Sequence, residues 1–272
     1  TQVKGLPTNA LISNLIWSPD ETKLAFTNTT ASGNELWIVE LQTATATKLT
    51  DAVLNANLGN PITWYKNGTA LLIKVIPANK KALIDAAKAI PNGPIVSESQ
   101  EGVVSPNRTY QDLLKNKTDE ANFENIVTSE LYTIDLKGTK KLFKAADLYA
   151  GETFSPDGSY ILLTTIQKPF SYLVPLNRFP MKTVAYKANG EEVSVVNNVA
   201  LSEILPKGFM AVREGKRSMS WRADKPATLF FVEALDGGDP ANKVAHRDAL
   251  YTWEAPFNNT PELLTKTPQR FG

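Results

Sequence analysis

Four copies of one short pattern recur along the chain: an aromatic residue, a short polar turn, and then an apolar segment with strand character. The copy at 17–26 reads Trp-Ser-Pro-Asp-Glu-Thr-Lys-Leu-Ala-Phe, and the copy at 154–163 reads Phe-Ser-Pro-Asp-Gly-Ser-Tyr-Ile-Leu-Leu. The other two copies occupy 64–73 and 221–230. Recurrence of this kind indicates a fold assembled from repeated supersecondary units, each of which must pack on its neighbours.

The turn within each copy has the composition of a tight hairpin. Proline fixes φ at the second turn position in the copies at 17–26 and 154–163, Asp or Asn bonds its own backbone in all four, and Gly accepts a positive φ without steric cost. Glu21 and Lys225 stand where the other two copies have Gly. We therefore expect these two turns to be strained or of a different type.

Further β-rich segments follow each copy, so that a unit contains about four short antiparallel strands, the anatomy of a propeller blade. Second segments occupy 35–41, 130–136, 182–186 and 249–253, and closing segments occupy 47–50, 140–143, 192–196 and 262–265. We predict an all-β fold, a truncated or open β-propeller of about four blades, as one partial domain over 1–272. The predicted blades span roughly 10–51, 60–145, 150–200 and 213–267.

One long insertion, 79–125, interrupts the second predicted blade. Apolar residues at 83, 86, 87 and 90 have the spacing of one helical face, so the sequence predicts an amphipathic helix within 80–110. The chain stops directly after the fourth closing segment, where a fifth aromatic turn is due. That position leads us to expect a truncated propeller.

Composition excludes several classes of function. A net charge of +1 produces no strong positive electrostatic field that would attract nucleic acid. No apolar run in the sequence approaches the length of a membrane span. With no Cys and a single His, His246, the sequence predicts neither a metal site nor a cofactor. Because the chain begins with Thr1 rather than Met, we expect a removed export signal and a periplasmic or secreted protein.

Two longer stretches carry a resemblance to a known family. The stretch 215–240, Gly-Lys-Arg-Ser-Met-Ser-Trp onwards, and the stretch 169–180, Pro-Phe-Ser-Tyr-Leu-Val-Pro-Leu-Asn-Arg-Phe-Pro, resemble the glutamyl endopeptidase branch of the prolyl oligopeptidase family of serine peptidases. The resemblance implies a propeller that restricts access of peptide substrates to a C-terminal α/β-hydrolase domain of the same polypeptide. It also implies a preference for cleavage after Glu.

The chain itself carries no catalytic residue that we can assign. A hydrolase of that family needs a Gly-x-Ser-x-Gly elbow followed by Asp and His, and the sequence contains no such pentapeptide. We therefore expect it to be inactive alone, and we expect His246 to lie in a loop. A protein-binding propeller scaffold with no attached enzyme is the alternative function that the sequence leaves open.

Basic and polar residues on predicted blade connections are the candidates for substrate binding: Arg178 with Tyr172, and Arg213 and Arg217 before the fourth blade. An arginine can receive an acidic substrate side chain through two parallel hydrogen bonds. An intramolecular ion pair or a solvated charge is the alternative for each of them. We also expect exposed blade edges to pair between molecules as a homodimer.

Overall fold

The computed structural model describes residues 2–85 and 110–272, which contain sixteen β-strands and one α-helix. The helix α1 spans Lys117–Val127, and a single 3-10 turn spans Leu176–Arg178. The first eight strands are β1 (Ile12–Trp17), β2 (Lys23–Thr30), β3 (Gly33–Glu40), β4 (Thr45–Lys48), β5 (Ile62–Trp64), β6 (Ala70–Val75), β7 (Ser129–Asp135) and β8 (Lys140–Asp147). The other eight are β9 (Tyr149–Phe154), β10 (Tyr160–Ile166), β11 (Met181–Lys187), β12 (Glu192–Val199), β13 (Arg217–Trp221), β14 (Thr228–Ala234), β15 (Asp248–Glu254) and β16 (Glu262–Thr267).

These strands form four separate sheets of four strands each, and the order within each sheet follows the order in the chain. The pairings are antiparallel, as between β2 and β3 and between β14 and β15. Each sheet is thus a meander in which one of the repeated aromatic residues ends the first strand, and the polar turn after it leads into the second strand. The predicted all-β propeller fold is confirmed.

The first and third turns share one hydrogen-bond network. In each, a Ser hydroxyl donates to the Asp two residues later, Ser18 to Asp20 and Ser155 to Asp157, at 2.6 Å. The same hydroxyl accepts a backbone N–H from the start of the next strand. The network fixes the register of the hairpin, which explains why Ser-Pro-Asp recurs.

The two turns that lack Gly differ from each other. Glu21 has φ of 56°, in the left-handed region that Gly158 occupies at 73° in the matching turn. The turn before β14 is built differently, because Lys225 does not have a positive φ and donates its N–H to Arg222 at 3.4 Å. Both outcomes match the two expectations for these turns.

The described chain divides into two compact units. Unit 1 comprises Thr1–Lys81, Asn125–Thr165 and Ala185–Glu192, and unit 2 comprises Ala82–Glu124, Ile166–Val184 and Val193–Gly272. Fully buried aliphatic residues on β2, β3, β6 and β7, such as Leu36 and Leu71, form the core of unit 1. Trp17, the aromatic residue of the first repeated copy, ends β1 and is 55% exposed.

The predicted helix within 80–110 is wrong over its described part, because residues 80–85 are not helical. Residues 86–109, which carry the rest of the predicted apolar face, lie outside the described residues. Among the described residues of the insertion, the helix is α1, near the C-terminal end of the insertion. Asn116 precedes it and accepts a hydrogen bond from the N–H of Asp119 at 2.9 Å, as a helix N-cap does.

Candidate functional site

The four residues predicted to bind substrate all belong to unit 2. Tyr172 and Arg178 lie in the connection between β10 and β11, whereas Arg213 precedes β13 and Arg217 is its first residue. In an antiparallel meander, the first strand begins at the end of the sheet where the second and third strands are joined. Tyr172 and Arg178 therefore lie at this end of the third sheet. Arg213 and Arg217 lie at the same end of the fourth sheet.

Tyr172 is held by helix α1. Its hydroxyl donates to Glu120 at 2.7 Å, and the ammonium of Lys117 lies 2.7 Å from the same carboxylate oxygen. Burial opposes ionisation of Glu120, but the bonds from Lys117 and Tyr172 hold its pKa below the ordinary value. Burial, together with the bond to Glu120, raises the pKa of Tyr172. The phenol is thus a neutral donor that fixes the connection to the helix.

Aromatic packing fixes the rest of this connection to the same helix. Phe123 of α1 meets Phe170 and Phe179 edge-on, with ring centroids 5.3 and 6.1 Å apart. Phe170 and Phe179 stack on each other at 5.6 Å. Lys168 also forms an ion pair with Glu124 at 2.8 Å. The 167–180 connection is therefore a packed segment anchored on α1.

Arg178 ends the 3-10 turn, and its guanidinium lies 5.4 Å from the centre of the Tyr110 ring. Its backbone carbonyl accepts the N–H of Ser202 at 3.0 Å. The next residue, Glu203, accepts a hydrogen bond from Ser171 at 2.6 Å. The segment after β12 thus supports the connection that carries both Tyr172 and Arg178.

Arg217 forms an ion pair with a buried carboxylate, the alternative that the sequence left open for each arginine. Its Nη2 lies 2.5 Å from Asp248, whose side chain is 0% exposed. Burial works against ionisation of Asp248, but its bonds to Arg217, Phe271 N–H and Arg270 keep its pKa below the ordinary value. The pair attaches the start of β13 to β15.

Arg213 lies in the segment 212–216, which leads into β13 and is called the strap below. Its guanidinium donates to the carbonyls of Glu214 and Lys216. Burial, and after it the positive charge of Arg217, lower the pKa of Arg213. The N–H of Val212 donates to the carbonyl of Gly238 at 3.1 Å, so the strap is attached to the Gly237–Gly238 turn.

Sequence reasoning missed the residues that hold this region together. Arg270 contacts two carboxylates, Asp236 at 2.7 Å and Asp248 at 2.9 Å, and Arg247 contacts Asp236 at 2.7 Å. Asp236 begins the Asp-Gly-Gly-Asp sequence, a Gly-rich turn in which it accepts the N–H of Gly238. The Asp-Gly-Gly sequence, which is typical of a turn, was the one available signal. Its arginine partners are too distant in sequence to be inferred.

Other site types find no support in the part of the chain that the structure describes. Within residues 2–85 and 110–272, no three His, Cys, Asp or Glu side chains are grouped to hold a metal ion. His246 is exposed on the connection between β14 and β15. No helix in those same ranges combines the length and apolarity needed to cross a bilayer.

Two curated relatives match the chain almost from end to end. A probable chloroplastic glutamyl endopeptidase of Oryza sativa subsp. japonica is 35% identical over 99% of this chain. A protein of the same description from Arabidopsis thaliana is 33% identical over 100% of it. The chain spans 30% and 29% of the lengths of these relatives. No protein-family profile matches the chain.

Among solved structures, a putative dipeptidyl aminopeptidase IV from Bacteroides ovatus aligns with 98% of the chain and with 31% of its own length. The TM-score is 0.50 and the sequence identity is 12%. At this identity the likeness concerns the fold alone.

Proposed function

We propose that this chain, a β-propeller related over its whole length to glutamyl endopeptidases of the prolyl oligopeptidase family, gates and positions peptide substrates. In this proposal, a C-terminal α/β-hydrolase domain of the same polypeptide hydrolyses the peptide bond. The propeller supplies no catalytic residue. It limits which peptides reach the hydrolase and orients those that do.

One observation carries the proposal: the match to the two relatives covers 99% and 100% of a chain whose sequence has no serine elbow. The matched segment is only about 30% of each relative. The relatives are described as glutamyl endopeptidases, and we propose that their catalytic residues lie in the part that this chain does not match. A supporting role in substrate selection is what remains for it.

The packed connections of unit 2 suit a positioning role. Specific binding requires side chains whose conformations are fixed before the ligand arrives, because ordering them on binding reduces affinity. Tyr172 is fixed by Glu120, and Arg213 is fixed by two backbone carbonyls. Both lie in connections between strands, where the sheets provide a rigid frame.

A protein-binding scaffold without an enzyme is the second candidate, and exposed apolar side chains are compatible with it. Leu173, Ile204 and Phe209 are all exposed on connections of unit 2, and Phe209 is 100% exposed. Where such residues form a contiguous patch, they mark a contact surface for another protein domain. The same residues also suit contact with a hydrolase domain, so the two candidates differ only in their partner.

Two further proposals follow from the sequence. We propose that the protein is exported or organellar, and more specifically that it is periplasmic or secreted. The description of the two relatives as chloroplastic supports a location outside the cytosol.

We also propose that the isolated chain forms a homodimer. The edge strand β1 supports this, because Leu15 and Trp17 are exposed on it. Light scattering that finds only monomer at high concentration contradicts the dimer.

Gating is tested by the size of the substrate. The complete gene product should cleave a short chromogenic peptide ending in Glu far faster than the same peptide displayed in a surface loop of a folded protein. Unfolding that carrier protein should restore cleavage. Equal rates for the short and the folded substrate would show that the propeller does not restrict access.

A further inference from the structure

Four apolar side chains of unit 2 protrude from the connections that follow β10, β12 and β14. Their exposed fractions are 100% for Phe209, 69% for Ile204, 64% for Leu173 and 40% for Val244. A fully exposed side chain such as Phe209 contributes no buried area to its own fold. When exposed apolar side chains lie together, they mark a surface that something else covers.

The connections after β10 and β12 are held side by side. The hydroxyl of Ser171 accepts the N–H of Leu173 at 2.9 Å and donates to the carboxylate of Glu203 at 2.6 Å. Ile204 directly follows Glu203. One serine hydroxyl therefore brings Leu173 and Ile204 to the same part of the surface.

The connections after β12 and β14 meet at Gly208. A Cβ at this position would lie 3.0 Å from Cγ of Pro240, so the backbone next to Phe209 passes close to the connection that carries Val244. The N–H of Ala211 donates to the carbonyl of Gly208 at 3.2 Å, which closes a turn with Phe209 at its second position. The four apolar residues thus lie along three neighbouring connections, and we call them the apolar strip.

The turn that carries Phe209 is fixed from behind. Arg270 donates from Nε to the carbonyl of Met210 at 3.0 Å, and the N–H of Val212 donates to the carbonyl of Gly238 at 3.1 Å. The guanidinium of Arg270 is itself bound to two buried carboxylates. Because the turn is already ordered, little conformational entropy is lost when it meets a partner.

Two lysines lie within the apolar strip without carboxylate partners. Lys207 and Lys243 are exposed, and neither forms an ion pair with any residue that the structure describes. The carboxylate of Glu203 is occupied by the Ser171 hydroxyl. Residues 240–247 contain no Asp or Glu. The apolar strip is therefore positively charged.

Separate protruding side chains with lysines between them suit a bilayer better than a protein domain. A protein partner needs a surface shaped to each protruding side chain, because protein interfaces pack as closely as protein interiors. The headgroup layer of a bilayer admits apolar side chains wherever they enter. Each inserted side chain gains hydrophobic free energy, and anionic headgroups attract each lysine near the surface.

We propose that the apolar strip, with Lys207 and Lys243, attaches the protein peripherally to a bilayer that contains anionic lipid. Phe209 and Ile204 insert into the headgroup layer, and the two ammonium groups contact the lipid phosphates. Membrane attachment goes beyond the proposed function and is independent of it, since it does not require that the chain receive peptides.

The test is sedimentation of this chain with lipid vesicles at low ionic strength. Vesicles of phosphatidylcholine and phosphatidylserine at about two to one should bind the chain at least about tenfold more tightly than phosphatidylcholine alone. Phe209→Ser combined with Ile204→Ser should weaken binding by at least about tenfold. Lys207→Gln combined with Lys243→Gln should remove the preference for phosphatidylserine. All four positions are exposed, and circular dichroism confirms that the variants are folded.

Matched controls come from β8, which carries an exposed leucine and two exposed lysines outside the apolar strip. Leu142→Ser, and Lys140→Gln combined with Lys141→Gln, should bind vesicles as the natural chain does. No binding to anionic vesicles, or an equal loss in the control variants, overturns the proposal. Full binding by the chain with Phe209→Ser and Ile204→Ser also contradicts it, because that result indicates adsorption by charge alone.

The complete gene product separates membrane attachment from the proposed function. If it binds anionic vesicles and cleaves no peptide, the attachment stands and the peptidase function fails. If it cleaves peptides and binds no vesicles, while this chain alone binds them, the rest of the polypeptide covers the apolar strip. That result overturns the attachment and leaves the peptidase function standing.

Discussion

The ammonium of Lys74 on β6 lies 3.0 Å from the carboxylate of Glu152 on β9, and the two side chains are only 3% and 6% exposed. The same ammonium donates to the backbone carbonyls of Leu58 and Tyr149, at 2.8 and 3.2 Å. Lys74 therefore has two carbonyl acceptors and one ion-pair partner inside unit 1. One charged side chain links two sheets and the segment that precedes β5.

The contacts of this pair predict an asymmetry between its two partners. Lys74→Met leaves Glu152 and two carbonyls without their donor, and should lower the free energy of unfolding by about 3 kcal/mol. Glu152→Gln leaves Lys74 with the two carbonyls and an amide oxygen, and should cost less than about 1 kcal/mol. Urea denaturation of both variants checks this. If both variants lost the same free energy of unfolding, the carboxylate of Glu152, and not the two carbonyls, would be the group that compensates the ammonium of Lys74.

The same pair predicts a dependence of stability on pH. Burial, only partly offset by Lys74, raises the pKa of Glu152 above its ordinary value of 4.5. The carboxyl group of Glu152 therefore stays protonated to a higher pH in the folded chain than in the unfolded chain. Its contribution to the free energy of unfolding is complete below pH 4.5. As the pH rises through the raised pKa, the natural chain should lose stability relative to Glu152→Gln.

Denaturation of both proteins across this pH range measures the difference. Glu254→Gln, which removes an exposed carboxylate, controls for the general loss of negative charge. A difference between the natural chain and Glu152→Gln that stays constant with pH would contradict the raised pKa.

Gly238 is predicted to be irreplaceable. A Cβ at this position would lie 2.1 Å from the carbonyl oxygen of Val212, and its φ is 79°. Gly238→Ala should therefore destabilise the chain by about 3 kcal/mol or more, because overpacking adds to backbone strain. Gly68→Ala is the control: φ is similar, at 68°, but the nearest atom would be 3.7 Å away. It should cost only about 1 kcal/mol in thermal or urea denaturation.

The strained turn at Glu21 predicts a stabilising substitution. Glu21→Gly should raise the free energy of unfolding by about 1 kcal/mol, because glycine adopts a positive φ without steric cost. Lys225→Gly should not stabilise, since Lys225 has no positive φ and glycine only adds entropy to the unfolded chain. The comparison fails if both variants change stability in the same direction.

The propeller fold could be predicted because its signal is local and repeated. Ser18 and Ser155 each bind an Asp two residues away, so the chemistry of the turn is visible in a few letters. Helix α1 also had a local signal, the Asn116 N-cap and the acidic first turn. The apolar spacing at 83–90 predicts a helix too, but the described residues 80–85 are not helical, because packing and not periodicity alone decides whether a short helix forms.

The candidate site could be predicted only in part. The types and positions of Tyr172, Arg178, Arg213 and Arg217 suggested binding, but their partners depend on strand register and on distant segments. Arg270 lies 34 residues from Asp236, and no local pattern reveals that contact. The irregular pairing at Ser218 is equally invisible in the sequence, because serine does not favour a positive φ.

The central claim is that this propeller serves a peptidase without being one. Its most direct test is hydrolysis of a chromogenic peptide ending in Glu, measured side by side for this chain and for the complete product of its gene. Our account predicts cleavage by the complete product and none by the chain. Cleavage by the chain alone, or by neither protein, would contradict it.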